Sequence, residues 1–204
     1  MLIATFARAG LAALASALLV STASAGPAED TKEAARLYQQ GKLDQALTKV
    51  NAALAAQPKD AQGRFIKGLI YTEQKRASDA IQIFTALTED YPELPEPYNN
   101  LAVLYASQGN YDKAKAALEL AIHTHPSYAT AYENLGDIYA QLARRSYDKV
   151  LQLDKSNTSV QGKLAMVKDL FGAPAKTAAD PVKVAVATKA EPAKPAAKPE
   201  PAKV

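Results

Sequence analysis

Apolar residues along the middle of the chain recur at steps of three and four. Tyr98, Leu101, Ala102 and Tyr105 form one such run, and Ala114, Ala117, Leu118 and Ala121 form the next. Each run places an apolar stripe on one side of an α-helix. Gly109-Asn110 separates the two, as Gly41 does earlier in the chain, so the pattern predicts helix pairs joined by short glycine turns. The pairs repeat. Pro58, Pro92 and Pro126 are 34 residues apart, and the same step relates Gly68, Ala102 and Gly136, then Tyr71, Tyr105 and Tyr139. It also relates Ala46, Ala80 and Ala114, and Val50, Phe84 and Leu118. Small residues in shared columns let two helices approach closely, and the tyrosines fill the space between. One hairpin cannot bury its own apolar side, so the copies must stack into a solenoid. The expected fold is all-α, with seven or eight helices.

The copies are not identical. Glu33 and Leu37 stand in the columns of Leu101 and Tyr105, which suits a terminal repeat with one side in water. Arg64 and Lys67 replace the Tyr98 and Leu101 type in the second copy. The stretch YPELPEPYNN stiffens the link to the third copy, with Pro97 in the first turn of the next helix. The fourth copy departs most. If Tyr139 and Ala143 take the columns of Tyr105 and Ala114, five residues are missing, and they are the turn itself. The apolar stripe nevertheless continues in phase, from Tyr132, Leu135, Gly136 and Tyr139 through Leu142, Ala143, Ser146, Tyr147 and Val150 to Leu153. Glu133, Asp137, Gln141, Arg144, Asp148 and Gln152 fall opposite, with Arg144 and Asp148 spaced for an i,i+4 ion pair. One continuous helix over residues 128–153 is predicted, followed by a final helix over 159–171 with Val160, Leu164, Val167 and Leu170 inward. The far half of the long helix needs a cover. The final helix, a second chain in a homodimer, and a bound partner are the candidates.

Composition changes the picture mainly at the ends. Arg8, the apolar run of residues 11–20 and the small residues Ala23-Ser24-Ala25 predict a secretory signal over residues 1–25, cleaved after Ala25. The run is short for a bilayer span, which needs roughly 20 apolar residues, so no membrane span is expected after cleavage. Residues 172–204 are mostly Ala, Pro and Lys and predict a disordered tail. With the ends removed, residues 26–171 hold 17 basic and 18 acidic groups. The net charge of +3 therefore belongs to the ends, and the near-neutral folded part argues against a nucleic-acid ligand. The chain has no cysteine, which excludes disulfides and a lipidated N-terminal cysteine.

Candidate chemistry is sparse. His123 and His125 are the only histidines, and at a helix C-terminus they complement its dipole. No Gly-rich phosphate loop is present. Neither a metal, a cofactor nor a catalytic constellation is expected.

The 34-residue period, with its small, aromatic, small, large, small and proline order, resembles the tetratricopeptide repeat family. The likeness covers residues 28–155 and is fullest in YNNLAVLYASQGNYDKAKAALELAIHTHP. It implies a helical-hairpin solenoid of about three regular repeats, a fused fourth-repeat helix and a C-terminal capping helix. In this family the first helix of each repeat commonly lines a concave groove. Carried over, that column set gives Gln62, Phe65, Leu69, Thr72 and Glu73, then Asn99, Asn100, Val103 and Ser107, then Glu133, Asn134 and Asp137. Asn100 and Asn134 should stack as two rungs, either contacting a peptide backbone or tying neighbouring repeats together. Family members that grip a C-terminal carboxylate use Lys and Arg where this chain has Phe65, Leu69, Asn99, Val103 and Asp137. A carboxylate clamp is therefore not expected, and an extended or helical peptide suits the groove better.

The signal type and the family's habits together imply an exported protein, periplasmic or secreted, of a Gram-negative bacterium. Three roles follow: an adaptor holding an envelope protein or peptide, a structural component whose basic tail contacts the wall or membrane surface, or an auxiliary subunit of an enzyme complex.

Overall fold

The computed structural model describes residues 26–171; the expected signal and tail lie outside them. Eight helices follow one another: α1 (Pro27–Gln39), α2 (Leu43–Ala56), α3 (Ala61–Glu73), α4 (Ala77–Asp90), α5 (Pro95–Ser107), α6 (Tyr111–Thr124), α7 (Ala129–Leu153) and α8 (Thr158–Phe171). Each helix packs on its chain neighbours, and α1 also meets α3, as α5 meets α7. This is the one-dimensional stacking of a solenoid.

The turns inside the first three hairpins share one mechanism. Gly41, Lys75 and Gly109 all have positive φ (72°, 60° and 74°), and they stand 34 residues apart. Behind each, the next N–H reaches back to a carbonyl of the last helical turn: Lys42 to Leu37, Arg76 to Tyr71 and Asn110 to Tyr105, at 2.9–3.0 Å. These bonds satisfy carbonyls that the helix end leaves free. Glycine takes this conformation without a Cβ clash, whereas Lys75 does not. In the fourth copy the same step reaches Ala143. There the backbone stays helical, and α7 runs 25 residues without a break.

The core is built from the repeating columns. Ala34, Leu37, Ala46, Val50, Ile66 and Ile70 form one buried cluster over α1–α3. A second runs from Leu69 in α3 through Phe84, Leu101, Ala102 and Leu118 to Ala131 and Ile138 in α7. Arg64 does not disturb α3, because it is largely covered and pairs with Asp90 at the end of α4. Both Pro95 and Pro97 are buried in the first turn of α5. Helix thus begins within the proline-rich link, where a missing N–H has no partner to lose.

Three expectations about the C-terminal end need correction. The packed side of α7 is Ala131, Ile138 and Ala140, with Leu135 and Leu142 partly covered. Tyr132 and Tyr139 are 50% and 51% exposed, and Leu153 is 78% exposed. The reason is geometric. Like α3 and α5, α7 turns one side toward the preceding hairpin, where Ile70, Leu104 and Ile138 occupy one buried column. The other side awaits the second helix of its own hairpin, which a continuous α7 carries away. In α8, Leu164 is buried and Val160 and Val167 partly so, but Leu170 is 76% exposed. The ion pair of α7 joins Arg145 to Asp112 of α6 at 3.9 Å, in place of Arg144 to Asp148. Among the described residues, no helix is long and apolar enough to cross a membrane.

Candidate functional site

The groove side of α1, α3 and α5 holds an apolar pocket of about 230 Å3. Its walls are Ala35 and Tyr38 of α1, Phe65, Ile66 and Leu69 of α3, and Leu94 and Pro97 at the start of α5, with Gln62 and Glu96 at the mouth. The pocket exists because α3 and α5 leave room between them, while α1 lies against α3. Phe65 is held from below: its ring meets Phe84 edge-on, with centroids 5.6 Å apart and planes at 64°. That is a favoured aromatic geometry, and it leaves one side of Phe65 facing the pocket.

The residues expected in the groove divide into several groups. Phe65 and Leu69 meet in the pocket, Leu69 as buried floor (3% exposed). The Thr72 hydroxyl donates to the Gly68 carbonyl (2.9 Å), and Glu73 is exposed beside it. Asn99 is fully buried, and its Oδ1 accepts from Asn134 Nδ2 at 2.7 Å. Asn100 donates instead to the Glu96 carbonyl of its own helix (2.8 Å). The rung between repeats is thus Asn99–Asn134 rather than Asn100–Asn134, and these amides serve the fold first. Val103 is half-buried, and Glu133 and Asp137 are exposed one turn apart on α7.

Acidic groups set the electrostatics of this surface. The Tyr38 hydroxyl is pushed up to about 12, by burial first and then by Glu73. Tyr128 is likewise pushed up to about 12, by burial and then by Glu96. The pKa of Asp137 is raised from its ordinary value by partial burial, and secondarily by the Glu133 charge. Carboxylates therefore mark both ends of the groove, and such a surface favours cationic over anionic groups in a partner.

Ala35, Tyr38, Ala61, Ile66, Leu94, Glu96 and Pro97 line the pocket without having been expected there. Ala35 and Tyr38 were within reach, since they stand one 34-residue step before Leu69 and Thr72. The groove columns simply extend into the first copy. Pro97 and Leu94 carry no such signal, because only the spacing between α3 and α5 brings them in.

A larger recess of about 610 Å3 lies elsewhere, between Tyr111 and the second half of α7. Its walls are long polar side chains, Gln141, Arg144, Arg145, Asp148, Lys149 and Gln152, and it offers a ligand little apolar surface to bury. Among the described residues, no three His, Asp or Glu side chains converge as metal ligands.

Comparison with known proteins agrees with this architecture. One family model of the tetratricopeptide repeat matches residues 31–95, and a second matches residues 71–142. Together they span more than half the chain, which belongs to the tetratricopeptide repeat family. Over 85 residues, or 39% of its length, the chain is 34% identical to the tetratricopeptide repeat domain-containing protein PYG7, chloroplastic, of Arabidopsis thaliana. That match spans 28% of PYG7, and a match to human tetratricopeptide repeat protein 16, at 24% identity over 69% of this chain, spans 18% of it. The chain therefore corresponds to under a third of these relatives. Among solved structures, TTC0263 of Thermus thermophilus superposes with a TM-score of 0.55 at 21% identity, over 72% of this chain and 84% of that one. The first tetratricopeptide domain of Spaghetti (RPAP3), bound to the HSP90 peptide SRMEEVD, gives 0.54 at 17% identity, over 57% and 93%. The likeness to these structures is one of fold.

Proposed function

We propose that this chain is a non-catalytic interaction scaffold of the bacterial cell envelope that holds a peptide or protein partner in its concave groove. The observation that carries this reading is the pocket around Phe65, an apolar hollow with Glu96 at its mouth and the Glu73 charge acting on its Tyr38 wall. A partner segment suited to it carries an apolar side chain for the pocket and Lys or Arg beside it. The Spaghetti domain was solved with a peptide bound, and YrrB is described as having an unusual peptide-binding site; both support peptide binding by analogy of fold. The envelope location rests on the N-terminal sequence pattern.

The test is a photo-crosslinking side chain at Gln62, placed in cells, with the captured protein identified and its segment made as a peptide. Phe65→Ala should weaken that peptide's binding by roughly tenfold or more while leaving the helical signal intact. Deleting residues 172–204 should leave capture unchanged. Capture that survives Phe65→Ala and is lost with the tail would replace the groove by the tail as the working surface.

A further inference from the structure

The two ends of the solenoid differ in what they leave open. Every large apolar side chain that stands well exposed among the described residues lies in α6–α8. Along α7 the open positions recur at steps of seven: Tyr132, Tyr139, Ser146 and Leu153 are all exposed with α8 in place. Beside them, again seven apart, run Gly136, Ala143 and Val150. A seven-residue step of apolar and small residues is the seam along which two helices pair. The seat is also vacant by direct comparison. A Cβ added at Gly68 would meet the Phe84 ring at 2.7 Å, whereas one at Gly136, in the same column, meets nothing within 4 Å.

Charge indicates which helix fits. Residues 129–140 of α7 carry Glu133 and Asp137 and no base, while residues 141–153 carry Arg144, Arg145 and Lys149 against Asp148. The helix is thus acidic in its first half and basic in its second. Laid antiparallel on a second α7, each acidic half meets a basic half; laid parallel, like meets like. The seam is compatible with the same arrangement. With a two-fold axis between Leu142 and Ala143, beside the small Ala143 side chain, Tyr132 faces Leu153 of the second copy, and Tyr139 faces its Ser146. The small side chain at the axis allows close approach.

We propose that the chain forms a two-fold homodimer through antiparallel pairing of α7, each copy supplying the helix that the other's fused hairpin lacks. This is independent of what the groove binds. Such an interface is isologous and closes on itself.

Because the chain has no cysteine, single cysteines report the geometry cleanly. Light scattering on the purified chain should give a dimer mass. Ala143→Cys should oxidise to a covalent dimer. Tyr132→Cys should not, since its two copies would stand about 30 Å apart along the paired helices. Mixing Tyr139→Cys chains with Ser146→Cys chains should link the two. Tyr139→Glu should yield a monomer whose circular dichroism is unchanged. A monomer mass for the unaltered chain at high concentration overturns the proposal and leaves the seam to a helix of another protein. Tyr132→Cys linking as readily as Ala143→Cys overturns it in favour of a parallel pair. Failure of the mixed pair to link, with Ala143→Cys also inert, overturns the register.

Discussion

Gly68 and Gly136 share a column, yet adding a methyl group has opposite consequences at the two sites. At Gly68 it would strike the Phe84 ring, buried against α3. Gly68→Ala is therefore expected to cost about 1–3 kcal/mol. At Gly136 the space is open, so Gly136→Ala should leave stability unchanged or raise it by up to about 1 kcal/mol through helix propensity. Chemical denaturation of both variants checks the pair. Asp137 makes a second prediction. Its folded carboxyl holds a proton more tightly than the unfolded chain does. The ionised form therefore weakens the fold at neutral pH, and the penalty is relieved as pH falls through the folded value. Asp137→Asn should raise the melting temperature at neutral pH and lose that advantage in acid; an advantage constant with pH would deny the shift. At this scale the sequence was half legible. It showed that amides recur at one column, but not that Asn99, the neighbour of that column, takes Asn134 as its partner. That choice depends on how α5 and α7 cross, which periodicity does not encode.

The helices are set by their ends. Lys75 holds a left-handed backbone in a place where Gly41 and Gly109 hold it freely, and a side chain there costs roughly 1–2 kcal/mol. Part of that returns when glycine restores freedom to the unfolded chain. Lys75→Gly is thus expected to stabilise by up to about 1 kcal/mol, read from the urea midpoint at unchanged slope. The fused helix was legible in advance because its apolar phase continues where the turn is lost and no glycine stands in the turn column. Which side of α7 packs was not legible. Tyr132 and Ala131 are adjacent around the helix, and an apolar band that wide fits two orientations. The preceding hairpin selects Ala131 and Ile138. For α8 the same ambiguity left Leu170 outside.

Among the described residues, each helix meets helices one or two places away along the chain, and the buried clusters thin out toward the C-terminal end. Between them the clusters span α1–α7, whereas α8 buries Leu164 alone among its apolar side chains. Hydrogen exchange should follow that gradient. Amides of α4–α6 are expected to be the slowest, and those of α8 and the second half of α7 faster by orders of magnitude. Uniform protection along α1–α8 would mean that the end is held by something further, and slowing of α7 with rising protein concentration would name a second copy. The repeat architecture was readable from columns of Pro, Gly, Ala and Tyr. The pocket was readable only in part, because the family resemblance places Phe65 in the groove but Leu94 and Pro97 are brought in by the gap between two helices.

The unbroken α7 also has a mechanical consequence. A hairpin has a joint between its two helices, and three such joints stand at Gly41, Lys75 and Gly109. A helix of about 38 Å has none, and the Asn99–Asn134 bond fastens it to the repeat before. The α7 end of the solenoid is thereby the stiffer one, and the hairpin joints lie toward the half that contains Phe65.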